Sequence, residues 1–331
     1  MKILVTGATG FVGFRLVQQL KQAGHTVFAT GRNLAMGEKI SYLEIPFRPG
    51  GVEDPDFVKT LVKGMDAVVH LAGLASPWGP YDTFYKANVL GTRNVVQACL
   101  DQDVPRLVHF STPSIYVDSH NRIDVSEDEP LPDPINAYAK TKVLAEDAVR
   151  EGAAAGLKTV MLRPRAIIGA GDTVIMPRLL RAHREGRLRI IGDGRNLVDM
   201  TAVKNVLHAV DLGLAAEGEA LGQAYNITSG DPVRLWDTVG EVLKRLDLRL
   251  NRSKIPFVLA YSIAGAMEVA AKADPKQPEP SLTRYSVIML ARSQTLNINK
   301  ARRLLGYAPV QTTNEAMDEF IEWWKKQHWI S

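Results

Sequence analysis

The stretch Thr6-Gly7-Ala8-Thr9-Gly10-Phe11-Val12-Gly13 decides the fold, because it follows the apolar run Ile3-Leu4-Val5 that begins almost at the initiator Met. A strand feeding a glycine-rich turn that opens a helix, here Phe14 to Ala23, is the local geometry that receives a dinucleotide pyrophosphate. Gly7 permits the tight turn, Gly10 lets the backbone approach the phosphates, and Gly13 lets the helix pack closely on the sheet. The phosphates would sit on the helix N-terminus, where unpaired N–H groups and the helix dipole favour negative charge. Thr9, Phe11 and Val12 share the turn and are expected to line the cofactor with the three glycines.

Outward from the turn, strand-like and helix-like segments alternate, the pattern of a parallel sheet covered on both faces. Thr26–Thr30, Ala67–Leu71, Arg106–Phe110, Thr159–Leu162 and Ala224–Ile227 read as strands. Phe57–Val62, Phe84–Leu100 and Tyr138–Gly152 read as helices between them. The expected fold is α/β, a doubly wound parallel sheet (Rossmann fold) with a smaller mixed, mostly helical unit that binds substrate. Residues 1–169 with about 201–229 would form the first unit, and about 170–200 with 230–331 the second. In the second unit Val174–Gly186 reads as a helix and Leu188–Ile191 as a short strand. The acidic, proline-containing segment Asp124–Pro134 reads as a loop.

With 331 residues, 46% hydrophobic and 23% charged, the chain can bury a full core. Its formal charge of +4 is spread along the chain, which gives no case for nucleic acid but suits an anionic cofactor. Cys99 is the sole cysteine, so no intramolecular disulfide forms, and a reducing cytoplasm is expected. On its helix it reads as a small buried apolar side chain. The seven histidines lack metal-ligand spacing, and no metal is expected. No signal peptide is visible, since the glycine turn occupies its place. The longest apolar stretch, Pro256–Ala271, is broken by Glu268 and too short for a membrane span. It reads as a helix of the second unit, with a greasy lid or membrane-surface contact as the alternative.

Tyr138-Ala139-Lys140-Thr141-Lys142 places a phenol and an ammonium one helical turn apart on one face. A free tyrosine is a poor acid or base at neutral pH, and a nearby cation favours its ionised form. A hydroxyl-rich strand end, Phe110-Ser111-Thr112-Pro113-Ser114-Ile115-Tyr116, precedes the pair and makes the spacing specific.

These residues resemble the extended short-chain dehydrogenase/reductase superfamily over nearly the whole chain. Its first motif is matched by Thr6 to Gly13, its post-fourth-strand motif by His70-Leu71-Ala72-Gly73, and its fifth-helix motif by Asn88-Val89-Leu90-Gly91-Thr92. Its catalytic pair is matched by Tyr138 and Lys142. Its hydroxyl position falls on Thr112, with Ser111 and Ser114 as alternatives. Arg163-Pro164 and Ile167-Ile168-Gly169 are similar to the segment that lines the nicotinamide. The second half most resembles the 3β-hydroxysteroid dehydrogenase-like group, which includes bacterial reductases of long-chain 2-alkyl-3-oxoacids. The matching segments are Asp199–Val206, Tyr225–Gly230, Glu279–Tyr285 and Asn299–Tyr307, and Ser76-Pro77-Trp78-Gly79 is similar to that group's loop over the active site.

The resemblance implies hydride transfer between a nicotinamide and a carbonyl or alcohol carbon. Tyr138 would be the general acid/base, and Thr112 would orient the same oxygen, with Trp78 and Ser114 also toward substrate. Lys142 would lower the tyrosine pKa and hold the nicotinamide ribose. Leu71, Ala72, Pro164 and Ile167 would line the cofactor. Asn88 would extend a proton relay or, alternatively, tie helix to strand. A homodimer paired through the helices Phe84–Leu100 and Tyr138–Gly152 is also implied.

An acidic residue about 20 positions past the glycine turn marks NAD selectivity. That position is Gly31, followed by Arg32, so a 2′-phosphate meets no carboxylate there and can pair with the guanidinium. NADP(H) is expected, with NAD(H) as the alternative. The third-strand segment Glu44–Arg48 also lacks the usual Asp near the adenine. Nucleotide-sugar epimerases and dehydratases, the chief rival group, normally carry an Arg where this chain has Val198. An apolar residue cannot neutralise a diphosphate, which points to a hydrophobic ketone or secondary alcohol, steroid-like or 3-oxoacyl-like. A non-catalytic NADP-binding protein is the remaining alternative, and retention of Tyr138, Lys142 and Thr112 speaks against it.

Overall fold

The computed structural model describes residues 1–328; residues 329–331, at the end of the expected second unit, lie outside the described residues. Seven strands form the main sheet: β1 (Lys2–Thr6), β2 (Thr26–Gly31), β3 (Phe47–Pro49), β4 (Ala67–His70), β5 (Arg106–Phe110), β6 (Lys158–Pro164) and β7 (Gln223–Ile227). They run parallel in the order β3-β2-β1-β4-β5-β6-β7. The order reverses between β1 and β4. In such a sheet the crevice beyond the carboxyl ends of the two strands at the reversal is where a ligand fits.

The two faces of the sheet are read off β1 by alternation. Ile3 and Val5 pack with Leu16 and Leu20 of helix Phe11–Gln22 and with Leu207 and Val210 of helix Val203–Ala215. Leu4 faces the other way, onto Val95 and Cys99 of helix Gly91–Asp101 and Val149 of helix Ala137–Ala154. Cys99 is fully buried, and burial pushes its thiol up to about 12, so it is a core side chain as its setting suggested.

Beyond β6 a smaller set of elements gathers around Met176, Leu180, Trp236, Val239 and Phe320. Four short strands, Val233–Arg234, Leu197–Val198, Gln294–Leu296 and Arg122–Val125, form a second sheet there. The last of these corrects the sequence reading, which made Asp124 the start of a loop. Arg122 N–H donates to Ser293 O (2.8 Å), and Asp124 N–H to Thr295 Oγ1 (2.8 Å). A strand stabilised by a partner some 170 residues away leaves no local signature. The expected strand Leu188–Ile191 is confined to Ile190–Ile191, paired with Lys254–Ile255.

The apolar stretch forms the helix Phe257–Ala273. It buries Ala260, Ala264, Glu268 and Ala271 as one stripe and exposes Val258, Leu259, Ile263 and Val269. Among the described residues no helix is long and apolar enough to cross a membrane. A further departure is the expected single helix Phe84–Leu100. It is interrupted by a π-helical turn, Tyr85–Leu90, between Tyr81–Phe84 and Gly91–Asp101. Such turns change the phase of a helix and often mark functional positions; this one carries Asn88.

Candidate active site

The glycine turn is held where the sequence reading put it. Gly7 has φ of 69°, and a Cβ there would stand 2.7 Å from Ala72 N. A Cβ on Gly13 would stand 2.3 Å from Gly7 O, so only glycine lets the helix approach the turn. Gly10 caps the helix without a side-chain hydrogen bond, and the first turn carries no acid. Its first N–H groups are therefore orphan donors. They open onto a cleft of about 340 Å³ bounded by Gly7, Thr9, Gly10, Leu71 and Ala72 at one end. Phe11 and Val12 direct their side chains to the core beneath, which leaves their backbone rather than their side chains for the cleft. Gly171 lies over the Phe11 ring, bringing the segment after Ile167 to the same mouth.

At the other end lie Thr30, Gly31, Arg32 and Asn33 from β2, and Gly50 to Glu53 after β3. A Cβ on Gly31 would stand 2.4 Å from Thr9 Oγ1, so any side chain at this position would require Thr9 to shift. The carboxylate-free surroundings expected for Arg32 need correction. Glu53 Oε1 lies 3.6 Å from the exposed Arg32 guanidinium. Its carboxylate also folds over Gly51, where a Cβ would be 2.2 Å from Glu53 Oε2. Asn33 caps the helix Leu34–Tyr42 by accepting from Met36 N–H (3.1 Å), so a second helix N-terminus borders the cleft.

The chemistry-bearing side chains meet at the end of β5. Tyr138 stands in the first turn of helix Ala137–Ala154, which Asn136 caps by accepting from Ala139 N–H (2.8 Å). Its ring packs on Phe84 with centroids 6.4 Å apart. Burial pushes the phenol up to about 12, and interaction with the Thr112 side chain pulls the other way. Thr112 and Ser114 are buried, and the Thr112 hydroxyl donates to Ser114 Oγ (3.0 Å). Ser114 Oγ lies 2.8 Å from the Tyr285 hydroxyl. Tyr285 and Arg165, which lies behind it, were not singled out from the sequence. Ser111, an alternative to Thr112, donates instead to Glu146 Oε1 (2.5 Å).

The Lys142 ammonium donates to the Phe110 carbonyl and lies 3.4 Å from His109 Nε2. Burial brings Lys142 itself down to about 8. Below it sit two buried imidazoles, His109 and His70, with ring centroids 5.3 Å apart. His70 Nδ1 contacts Thr6 Oγ1 (2.7 Å) and its Nε2 contacts Thr92 Oγ1 (3.1 Å), whereas His109 Nδ1 has no hydrogen-bond partner among the described residues.

Asn88 ties its π turn to the loop after β4 and to helix Ala137–Ala154. Its Oδ1 accepts from Leu74 N–H (2.7 Å), and its amide donates to Leu74 O (3.2 Å) and Thr141 Oγ1 (3.0 Å). Arg163 is structural: its guanidinium is bidentate on Glu146 (2.7 and 2.6 Å), and both are buried. Pro164 ends β6 beside Ile227, and Ile167 pairs with Thr201. The Trp78 indole N–H donates to Gln277 O (3.1 Å), tying its loop to the chain beyond helix Phe257–Ala273.

The NAD dependent epimerase/dehydratase family matches residues 3–228. A 2-alkyl-3-oxoalkanoate reductase of Stenotrophomonas maltophilia is 37% identical over 96% of this chain and 97% of its own. An Arabidopsis thaliana 3beta-hydroxysteroid-dehydrogenase/decarboxylase (isoform 1) is 33% identical over 96% of this chain and 78% of its own. Among solved structures, MoeE5 in complex with UDP-glucose and NAD superposes with a TM-score of 0.76 at 27% identity, covering 99% of both chains.

Proposed function

This chain belongs to the NAD dependent epimerase/dehydratase family, and on that premise we propose that it is an NADP(H)-dependent reductase of hydrophobic ketones, of the 3-oxoacyl or sterol kind, reversible toward the secondary alcohol. The observation that carries the reading is the meeting of the Tyr138 phenol with the Thr112 hydroxyl at the carboxyl edge of the sheet. When bound, a nicotinamide supplies the hydride. The protein's part is the proton. Burial keeps Tyr138 protonated at neutral pH, so it would donate to the carbonyl oxygen during reduction and be left as the phenolate, and oxidation would run the same transfer backwards, the phenolate taking the alcohol proton. Thr112 would hold the same oxygen, and Lys142 the ribose.

The uncapped helix Phe11–Gln22 suits the pyrophosphate. Arg32, beside a second helix N-terminus, suits a 2′-phosphate, which would compete with Glu53 for the guanidinium. We read residues 1–169 with about 201–229 as the cofactor-holding unit, in keeping with the packing of helix Val203–Ala215 on the main sheet. The relatives' names favour apolar substrates, one an oxoalkanoate and the other a steroid. The first name is that of an acid's reductase, and a decarboxylase removes its substrate's carboxylate as carbon dioxide. Val198 supports the same class over a sugar nucleotide: it is buried among Met200 and Trp236, and an apolar side chain there cannot itself neutralise a diphosphate.

The test is oxidation of NADPH and NADH with a panel of hydrophobic 3-oxo esters and ketosteroids. We expect NADPH to be preferred, and Arg32→Ala to weaken NADPH by about 10-fold or more while sparing NADH. No turnover of any ketone, together with thermal stabilisation by uridine or thymidine diphosphate sugars, would replace this reading with the epimerase one.

A further inference from the structure

The residues that bound the cleft include two charged side chains of opposite sign, Arg32 and Glu53, at the same end of it. The acid that marks NAD selectivity stands about 20 positions past the glycine turn and accepts from the ribose 2′-hydroxyl. Here that place is Gly31, where a side chain could enter only if Thr9 moved. The carboxylate that faces this end of β2 comes instead from the loop after β3.

The loop holds that residue in place by its backbone. Gly50 N–H donates to Gly31 O (3.1 Å), which ties the loop to the end of β2. The Asn94 amide, from helix Gly91–Asp101, donates to Val52 O (3.0 Å) and Glu53 O (3.1 Å). Asp54 then caps the helix Pro55–Val62 by accepting from Asp56 N–H (3.0 Å) and Phe57 N–H (3.1 Å). Glu53 is thus fixed on both sides without help from its side chain. Its carboxylate lies against Gly51, where a side chain would take its room.

The contact with Arg32 is loose. At 3.6 Å it is longer than a hydrogen bond, and the guanidinium is 67% exposed. A pair of this kind contributes little to stability and opens readily. Each partner then answers to a different group: a 2′-phosphate suits the guanidinium, and a 2′-hydroxyl is a donor that suits the carboxylate. We infer that Glu53 is the cofactor-selecting acid of this chain, supplied from the loop after β3 rather than from β2: it accepts from the 2′-hydroxyl of NAD(H) and opposes the 2′-phosphate of NADP(H), which Arg32 attracts. The chain takes both dinucleotides, and Glu53 sets the ratio between them. This inference rests on the proposed reductase reading for the class of cofactor and names what selects within it.

The experiment is calorimetric titration of NADPH and NADH into the native chain, Glu53→Gln and Glu53→Ala. Gln removes the charge and keeps an acceptor, whereas Ala removes both. Both variants should bind NADPH about 10-fold more tightly than the native chain, the scale of one hydrogen bond to a charged group. Glu53→Ala should bind NADH about 10-fold more weakly, and Glu53→Gln should keep part of that affinity.

No shift in either variant, or equal shifts for the two dinucleotides, overturns the inference and leaves the reductase reading in place. Tighter NADPH with unchanged NADH in Glu53→Ala also overturns it, because the carboxylate then only repels. Opposite shifts in a chain that reduces no ketone support the selecting acid and defeat the reductase reading. A native chain that binds neither dinucleotide overturns both.

Discussion

His109 is buried against two neighbours that both disfavour its charge, Lys142 and His70, with burial the larger effect. Burial and Lys142 likewise bring His70 down to about 3. Unfolded, each imidazole takes a proton near the usual histidine pKa of about 6.5. Between that value and the lower folded one the unfolded chain binds more protons, so stability rises with pH through this window and is lost as pH falls. We expect the thermal unfolding midpoint to climb from about pH 5 to about pH 7, and to climb less in His109→Gln; equal slopes would remove the imidazole from the account. At this scale the sequence was informative where the role is local. The turn glycines follow from spacing, and Thr112 and Tyr138 from the resemblance of the motifs that hold them. Glu53 did not emerge, because its importance lies in a partner gained only after the chain folds. Lys142 was legible as a residue, but not in its contact with Phe110 O, which depends on how β5 meets the helix.

Helix Ala137–Ala154 carries Tyr138, Lys142 and Glu146 at four-residue intervals, so one face bears the proton donor, the ammonium and an anchor. The anchor is the buried Glu146–Arg163 pair, which joins this helix to β6 and, through Ser111, to the end of β5. Removing one partner leaves the other charged and buried, at a cost of about 3–5 kcal/mol. Urea titration of Glu146→Ala should show that loss. The urea slope should be unchanged, because the same surface is exposed on unfolding. A loss below about 1 kcal/mol would mean that the pair contributes little beyond a surface bridge. The helix and the strand Thr159–Leu162 were both readable from the alternation of segments, whereas Glu146's partner Arg163 was read as part of the nicotinamide wall. The π turn at Tyr85–Leu90 had no signal in residue pattern. It is defined by its tie from Asn88 to Leu74 and Thr141.

Across the whole molecule, the alternation of strands and helices was enough to foresee a parallel sheet. The reversal between β1 and β4 then sets the cleft beside the glycine turn. The second sheet was not foreseeable in the same way. Arg122–Val125 with Gln294–Leu296 is a short pairing across a long separation, stabilised by the assembled fold rather than by propensity; the strand around Ile190–Ile191 was expected, but its partner Lys254–Ile255, in a separate two-stranded sheet, was not. That assembly brings Tyr285, Arg165 and the Thr112–Ser114 turn to one place, so the account is tested best where all of it must work together. The direct measurement is a single turnover with NADPH deuterated at the transferable position and a hydrophobic 3-oxo ester, the product being read by mass spectrometry. Deuterium should appear on the carbinol carbon with the native chain. With Tyr138→Phe it should appear about 10²- to 10⁴-fold more slowly, while NADPH binds with unchanged affinity. Equal rates for the two proteins, or product without deuterium at that carbon, would contradict the account.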